Sequence, residues 1–176
     1  SKDFLKNYEI PVTIPLFAHS SKSAANLAQR IGYPVVLKVV SPDILHRSDI
    51  GGIASVHSES RLEDEYRALL ARVEENAPEA VITGVTVERM VENVDYQLIL
   101  GTKKDKDFGS IIFFGMGGTD AEVFHDRSYA LPPLNQTLAS LLMKETKVSR
   151  SLKGYRAKKP ADLRELEHII VSFSNL

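Results

Sequence analysis

The sequence predicts an α+β fold of two lobes, each a mainly antiparallel sheet with flanking helices. Three observations carry this reading. The predicted elements are segregated, with mixed helices and strands first and then three antiparallel-looking strands followed by helices, which departs from a strict βαβ repeat. The chain turns polar at Val91 to Asp95, between two strong strands, and this marks a lobe boundary that divides residues 1–91 from residues 92–176. Finally, 176 residues, 43% of them hydrophobic, suit one ordinary domain or two small lobes.

The first stretch, Asp3 to Tyr8, has a short helical pattern that must end before Ile10-Pro11, because a residue preceding proline disfavours the helical region. Thr13 to Ala18 reads as a strand. Ser21 to Ile31 places Ala24, Ala25, Leu27, Ala28 and Ile31 at helical spacing behind a serine-rich start suited to capping, and Gly32 stands at the stop. Val35 to Val40 is β-branched and almost wholly apolar, the pattern of a buried strand, yet it contains Lys38. Ser41 to Gly52 is a loop by composition. Ile53 to Ser58 alternates like a half-buried strand, and Arg61 to Asn76 is the clearest helix, with Leu62, Tyr66, Leu69, Leu70 and Val73 in one stripe.

Ala80 to Val91 and Tyr96 to Thr102 read as two further strands, followed by a charged turn at Lys103 to Asp107. Ile111 to Phe114 is a short apolar strand running into Gly115-Met116-Gly117-Gly118. Glu122 to Leu131 reads as a strand closed by Pro132-Pro133, and Asn135 to Glu145 and Pro160 to Leu176 as helices. The second of these carries Leu163, Leu166, Ile169, Ile170 and Phe173 on one face.

Charge and composition exclude several classes of function. Twenty-two Lys plus Arg against 23 Asp plus Glu leave a formal charge of -1, so no global basic field argues for nucleic acid or an anionic membrane. With no cysteine there are no disulfides, thiolate metal sites, Cys nucleophiles or iron-sulfur ligands, which is compatible with a reducing cytoplasm. No apolar run approaches the roughly 20 residues that span a bilayer, and Ser1-Lys2-Asp3-Phe4-Leu5-Lys6 lacks a signal-peptide core. The expected location is the cytoplasm. Both ends look abrupt, a Ser at the start and an apolar-periodic segment without a stop signal at the finish, so the expectation is a piece of a longer protein.

Within this frame a few residues stand out chemically. An ammonium among Val and Leu costs several kcal/mol unless it is paired or reaches a cleft, so Lys38 is either on the exposed face of an edge strand or a phosphate-binding lysine. In Ser41-Pro42-Asp43-Ile44-Leu45-His46-Arg47-Ser48-Asp49-Ile50-Gly51-Gly52 the two glycines can bring backbone amides to an anion, while His46, Arg47 and Ser48 offer donors or a nucleophile. A lone histidine in a loop is more often a surface residue than a catalyst. Val87-Glu88-Arg89-Met90-Val91 ends a strand at the lobe boundary, where small-molecule clefts tend to lie. Gly115-Met116-Gly117-Gly118 fits neither the Walker pattern nor a dinucleotide fingerprint. His19, His57, His125 and His168 lack metal-ligand spacing and read as structural or surface residues.

Taken together, several segments resemble the ATP-grasp domain of the NDP-forming (ADP-forming) acyl-CoA synthetases, relatives of the succinyl-CoA synthetase β chain. They are Gly32-Tyr33-Pro34-Val35-Val36-Leu37-Lys38, the whole stretch from Ser41 to Gly52, Phe113-Phe114-Gly115-Met116-Gly117-Gly118, Ala130-Leu131-Pro132-Pro133-Leu134, and Leu152-Lys153-Gly154-Tyr155-Arg156. They follow the family's order across nearly the whole chain, and the loop containing His46 is the most specific of them.

The resemblance implies an ATP-grasp fold with residues 1–91 as its first subdomain, residues 92–176 as an incomplete second one, and nucleotide held by both. Lys38 would then neutralise the α and β phosphates. Glu88, with the backbone of Arg89 and Val91, would face the adenine, and Gly51 and Gly52 would lie over the phosphates. His46 would be a phosphorylatable histidine that relays phosphate between ATP or ADP and a CoA-binding partner domain, since an imidazole nitrogen keeps a nucleophilic lone pair near neutral pH. Mg2+ is implied as well, with its Asp-x-Asn-Pro ligands expected beyond Leu176; Glu122 and Asp126 are further candidates, and no metal ligand is assigned. Two positions depart from the family pattern: Gln97 stands where relatives show Glu, and Ala130 where many archaeal-type members have Arg. The Ala130 to Leu134 variant resembles large fused bacterial proteins, so a nucleotide-binding regulatory domain of a fused protein acyltransferase is the alternative to a synthetase. A scaffold without nucleotide is disfavoured by the retention of Lys38, Glu88 and the His46 loop.

Overall fold

Residues 2–118 and 125–176 are described in the computed structural model of the protein, and they form two units. Thr13–Glu92 is one; Ser1–Val12 together with Asn93–Leu176 is the other. The expected first lobe began at residue 1, but the opening twelve residues, with helix α1 at Lys2–Lys6, group with the later unit. The physical reason is apolar: Phe4 and Leu5 border a cleft of about 430 Å³ whose other walls include Ile112, Pro132 and Phe173.

The unit Thr13–Glu92 contains β1 (Leu16–Ala18), α2 (Ser21–Ile31), β2 (Val35–Val40), β3 (Ile53–Val56), α3 (Glu59–Asn76) and β4 (Gly84–Arg89). Its sheet has the order β1-β4-β2-β3 with every pair antiparallel. Strand β1 is shorter than the pattern from Thr13 suggests, because Pro15 has no amide to give to the ladder. Likewise β4 starts at Gly84 and not at Ala80, the preceding residues serving as a loop whose Val81 amide is taken by the Asp43 carboxylate at 2.8 Å. Helix α2 opens on a reciprocal capping pair, in which Ser20 and Ser23 each accept the other's backbone amide.

Two-residue periodicity decides which face of this sheet is covered. Val35, Leu37 and Val39 are buried, while Val36, Lys38 and Val40 on the opposite face are only half-buried. Helix α3 supplies Leu62, Tyr66 and Leu69 to the core formed with Leu37, Val56, Val85 and Val87. A fully buried aliphatic side chain such as Leu69 contributes about 1.5–3 kcal/mol over an exposed one. Helices α2 and α3 thus cover one face and leave Lys38 on the other.

The other unit has the antiparallel meander β5 (Leu98–Asp105), β6 (Gly109–Met116) and β7 (Arg127–Ala130), then α4 (Gln136–Lys144), α5 (Val148–Ser151) and α6 (Leu163–Ser174). Ile112, Phe114, Leu142, Leu152 and Ile170 form its core. On the uncovered face Lys103 lies 4.8 Å from the centre of the Tyr129 ring and Arg127 5.5 Å from that of Phe113. The expected turn at Lys103 to Asp107 is corrected here. Strand β5 runs on through Lys103 and Lys104, because an exposed strand end tolerates charged side chains, and the reversal occupies residues 106–108. Of the expected strand Glu122 to Leu131, residues 122–124 lie outside the described residues.

Helix α5 had no sequence signal. It is nucleated by buried Asp126, whose two carboxylate oxygens accept the amides of Lys147 and Val148, each at 2.7 Å. Among the described residues no helix is long and apolar enough to cross a membrane.

The β5–β6 reversal has a pH signature. The Asp105 carboxylate accepts the amides of Asp107 at 2.9 Å and Phe108 at 3.1 Å, and these bonds, Asp107's first, hold its pKa below the ordinary value. A depressed carboxyl pKa stabilises the fold fully above the unfolded value of about 3.9 and loses that contribution as pH falls through the folded value. Amide exchange at Asp107 and Phe108, corrected for its intrinsic rate, is expected to accelerate over that acidic window, and in Asp105→Ala to be fast at every pH. Equal protection in Asp105→Ala and the parent would contradict this.

Candidate functional site

Strand β2 is an interior strand, flanked by β4 and β3, so Lys38 is not the edge-strand lysine that the simpler reading allowed. Opposite it in the register stand Thr86 on β4 and Ile53 on β3, while Glu88 stands opposite Val36. Lys38 and Glu88 are therefore diagonal neighbours on the uncovered face, about 7–8 Å apart at their bases, a gap that two long side chains close. Lys38 Nζ lies 3.2 Å from Glu88 Oε2. The Thr13 hydroxyl donates to the same carboxylate oxygen at 3.0 Å. The Lys38 side chain is 28% exposed against 7% for that of Glu88. Lys38 is thus paired and still partly exposed.

Glu88 was expected at an adenine, and the structure shows its carboxylate engaged with Lys38 and Thr13. Arg89 and Val91 follow at the end of β4, where Met90 donates its amide to Pro34 at 3.0 Å. Together with Gly32, Tyr33 and Pro34 they line a cleft of about 390 Å³. The Tyr33 hydroxyl is buried with no hydrogen-bond partner among the described residues, and burial, then the nearby Glu59 charge, raises its pKa.

At the other end of β2 the loop 41–52 leads to β3. It is rooted by buried Ile44, which packs with Val39 and Val73, and by the Asp43 to Val81 contact. Leu45, His46, Arg47 and Ser48 are exposed at its crest. Gly51 and Gly52 were expected over phosphates, but their amides are already used within the loop. Gly51 donates to the Ser48 carbonyl at 3.2 Å and Gly52 to that of Arg47 at 2.7 Å. Gly51 has φ +69°, and a Cβ on Gly52 would lie 2.6 Å from Val39 Cγ1 and 3.0 Å from the Arg47 carbonyl oxygen. Both glycines are needed to close the loop into a hoop against the sheet.

Along β2 these features fall in order. Residues rise about 3.3 Å each in a strand, so the Glu88 position lies ~7 Å from Lys38 in one direction and the root of the His46 loop ~7 Å in the other. A cleft beside Val91, a half-exposed lysine and the root of a histidine loop thus follow one another in order along β2, the lysine on the uncovered face and the loop rooted through Ile44 on Val39 and Val73.

The described residues offer no preassembled cluster of metal ligands. None of them forms a group of three or more His, Asp or Glu able to hold an ion. Asp126, the described carboxylate that the sequence left as a candidate, has both oxygens committed to α5. Glu122 lies outside the described residues. Of the other histidines, His19 meets Phe17 edge-on with ring centroids 4.6 Å apart, and His168 Nε2 lies 3.9 Å from Glu9. In the glycine tract, Gly115 and Met116 belong to β6 and the Gly117 amide is bonded to the Gln97 carbonyl at 2.9 Å. Sequence reasoning missed Thr13 and Arg72, whose Nε donates to the Gly51 carbonyl at 3.3 Å. Both act across long separations with no local pattern to reveal them.

A family model for the ATP-grasp domain matches residues 1–176, and the chain belongs to that family. More narrowly, its relatives include ADP-forming acetate–CoA ligases. It is 41% identical over 172 residues to acetate–CoA ligase (ADP-forming) I of Archaeoglobus fulgidus, covering 98% of this chain and 25% of that protein. It is 33% identical over 177 residues to the β subunit of acetate–CoA ligase (ADP-forming) I of Pyrococcus furiosus, covering all of this chain and 76% of the subunit. The fold superposes with a TM-score of 0.94, at 35% identity and over 99% of this chain and 76% of the other, on the dinucleotide-forming acetyl-coenzyme A synthetase 1 of Ca. Korarchaeum cryptofilum in complex with coenzyme A and Ca-AMPCP. In a second structure of that synthetase, with Mg-AMPPCP, a phosphohistidine segment points towards the nucleotide binding site; there the TM-score is 0.82 at 31% identity, over 99% of this chain and 74% of the other. The chain spans about a quarter of the Archaeoglobus protein's length.

The pairing of Lys38 with Glu88 predicts unequal costs for removing either partner. Lys38→Met removes the cation paired with a Glu88 side chain that is only 7% exposed, at a cost of about 2–3 kcal/mol. Glu88→Gln keeps an acceptor for Thr13 and unpairs a lysine whose side chain is 28% exposed, costing about 1 kcal/mol. Urea unfolding of both variants checks the order, and a greater loss in Glu88→Gln would contradict it.

Proposed function

We propose that this chain is the nucleotide-binding part of an ADP-forming acyl-CoA synthetase and that His46 carries a phosphoryl group between the nucleotide and a CoA-binding partner domain in the same enzyme. The observation that carries the reading is the succession along β2 of the Val91 cleft, Lys38 and the His46 loop. It supports a nucleotide laid lengthwise, with its base beside Arg89 and Val91, its phosphates at Lys38 and its terminal phosphorus towards His46. Glu88 serves this arrangement by holding Lys38, and Gly51 and Gly52 by shaping the loop.

In the direction that consumes ATP, an unprotonated imidazole nitrogen of His46 attacks the terminal phosphorus. The bond to the β,γ-bridging oxygen breaks, ADP leaves, and the N–H proton of the phosphoimidazole is free to pass to solvent. In the other direction the phosphoimidazole returns its phosphoryl group to ADP. The Lys38 ammonium offsets phosphate charge in both. Mg2+, when bound, would shield the phosphates; no described residue is proposed as its ligand. The absence of cysteine from the chain accords with work in the cytoplasm.

The test uses the complete enzyme containing this chain and ATP labelled in its terminal phosphate. Label is expected on His46, and His46→Ala is expected to lose it with a fall in turnover of roughly 1,000-fold or more. Lys38→Met is expected to raise the KM for nucleotide about 10- to 100-fold, the scale of a lost charge-assisted hydrogen bond. Undiminished labelling and turnover in His46→Ala would end the relay reading.

A further inference from the structure

Helix α3 grips the His46 loop from the side. Arg72 Nε donates to the Gly51 carbonyl at 3.3 Å, and the Arg72 stem lies so close over Gly51 that a Cβ there would meet Nε at 3.3 Å and Cδ at 3.4 Å. One turn further on, the Asn76 side-chain amide donates to the Ile50 carbonyl at 3.4 Å and to the Arg72 carbonyl at 2.9 Å. Between the two, Val73 is fully buried against Val39 and Ile44. The helix that supplies the grip is therefore packed onto the loop's own root, two residues before His46.

The grip is transmitted through the hoop. Gly51 is tied to Ser48 and Gly52 to Arg47, so a hold on the Gly51 carbonyl limits the residue that follows His46. We propose that Arg72 is a positioning residue for His46 in phosphoryl transfer, acting through the Gly51 carbonyl and not through its charge; this rests on the relay reading above. A reacting nitrogen must sit close to and in line with phosphorus, and displacement by about 1 Å costs on the order of 100-fold. The crest is exposed, and Arg72 joins Asn76 at Ile50 and Val73 at the root in holding the loop to α3.

Two substitutions separate the donor from the charge and from packing. Arg72→Gln sets an amide nitrogen where Nε stands and removes the charge, whereas Arg72→Met keeps an unbranched stem and removes the donor. In the complete enzyme, Arg72→Met is expected to slow His46 labelling and kcat about 10-fold, the effect of one lost hydrogen bond to a charged group, with the KM for ATP unchanged. Hydrogen exchange at the Gly51 and Gly52 amides is expected to accelerate in the same variant while core amides of β2 stay protected, which excludes global unfolding. Arg72→Gln is expected to retain both labelling and protection. Normal labelling and protection in Arg72→Met would overturn the proposal, as would an Arg72→Gln variant as impaired as Arg72→Met. If His46→Ala loses its label in parallel, either failure sinks the Arg72 role alone; if His46→Ala keeps its label, the relay reading fails and the Arg72 role falls with it.

Discussion

The ion pair between Lys38 and Glu88 is the constraint around which the rest of the site is arranged. A lysine in an interior strand is tolerable only where one sheet face is left without helices and a carboxylate is within reach. The sheet meets both conditions by register, since β2 and β4 set the two residues diagonally on the uncovered face. Glu88 is in turn kept in place by Thr13. The Lys38 side chain is the more exposed of the two, which suits the phosphate contact proposed for it.

The loop at the end of β2 shows a division of labour that residue types alone conceal. Glycines next to a histidine invite the idea of amides cradling phosphate, yet these amides close the hoop on Ser48 and Arg47. What the glycines supply is proximity: one lies under Arg72, the other against Val39. The consequence is an exposed histidine on a loop whose base is as firmly packed as the core beneath it. For the phosphoryl relay proposed for His46, access at the crest and order at the base are both useful.

Fold class and element order were legible because hydrophobic periodicity is a local signal. The Ser20–Ser23 cap, the apolar run of β2 and the stripe Leu62, Tyr66, Leu69, Val73 each announce themselves within a few residues. The failures have local causes too. Charge at Lys103 to Asp105 suggested a turn where an exposed strand end tolerates it, and α5 owes its start to Asp126, more than 20 residues upstream. Residues 1–12 were placed with their sequence neighbours, although apolar contacts assign them to the other unit.

From the sequence by itself came the α+β class, the ATP-grasp resemblance, and the short set of Lys38, His46, Glu88, Arg89 and Val91 as residues to watch. Those conclusions rest on composition, period and the order of motifs, all of which are properties of neighbours along the chain. Only the tertiary structure decided that β2 is an interior strand, that Glu88 holds Lys38, that the glycine amides are spent within the loop, and that Arg72 reaches it from α3. Each of these joins residues through strand register or helix packing, across gaps of about 20 to 75 residues for the side-chain contacts, and no local pattern encodes which distant partner a side chain will meet.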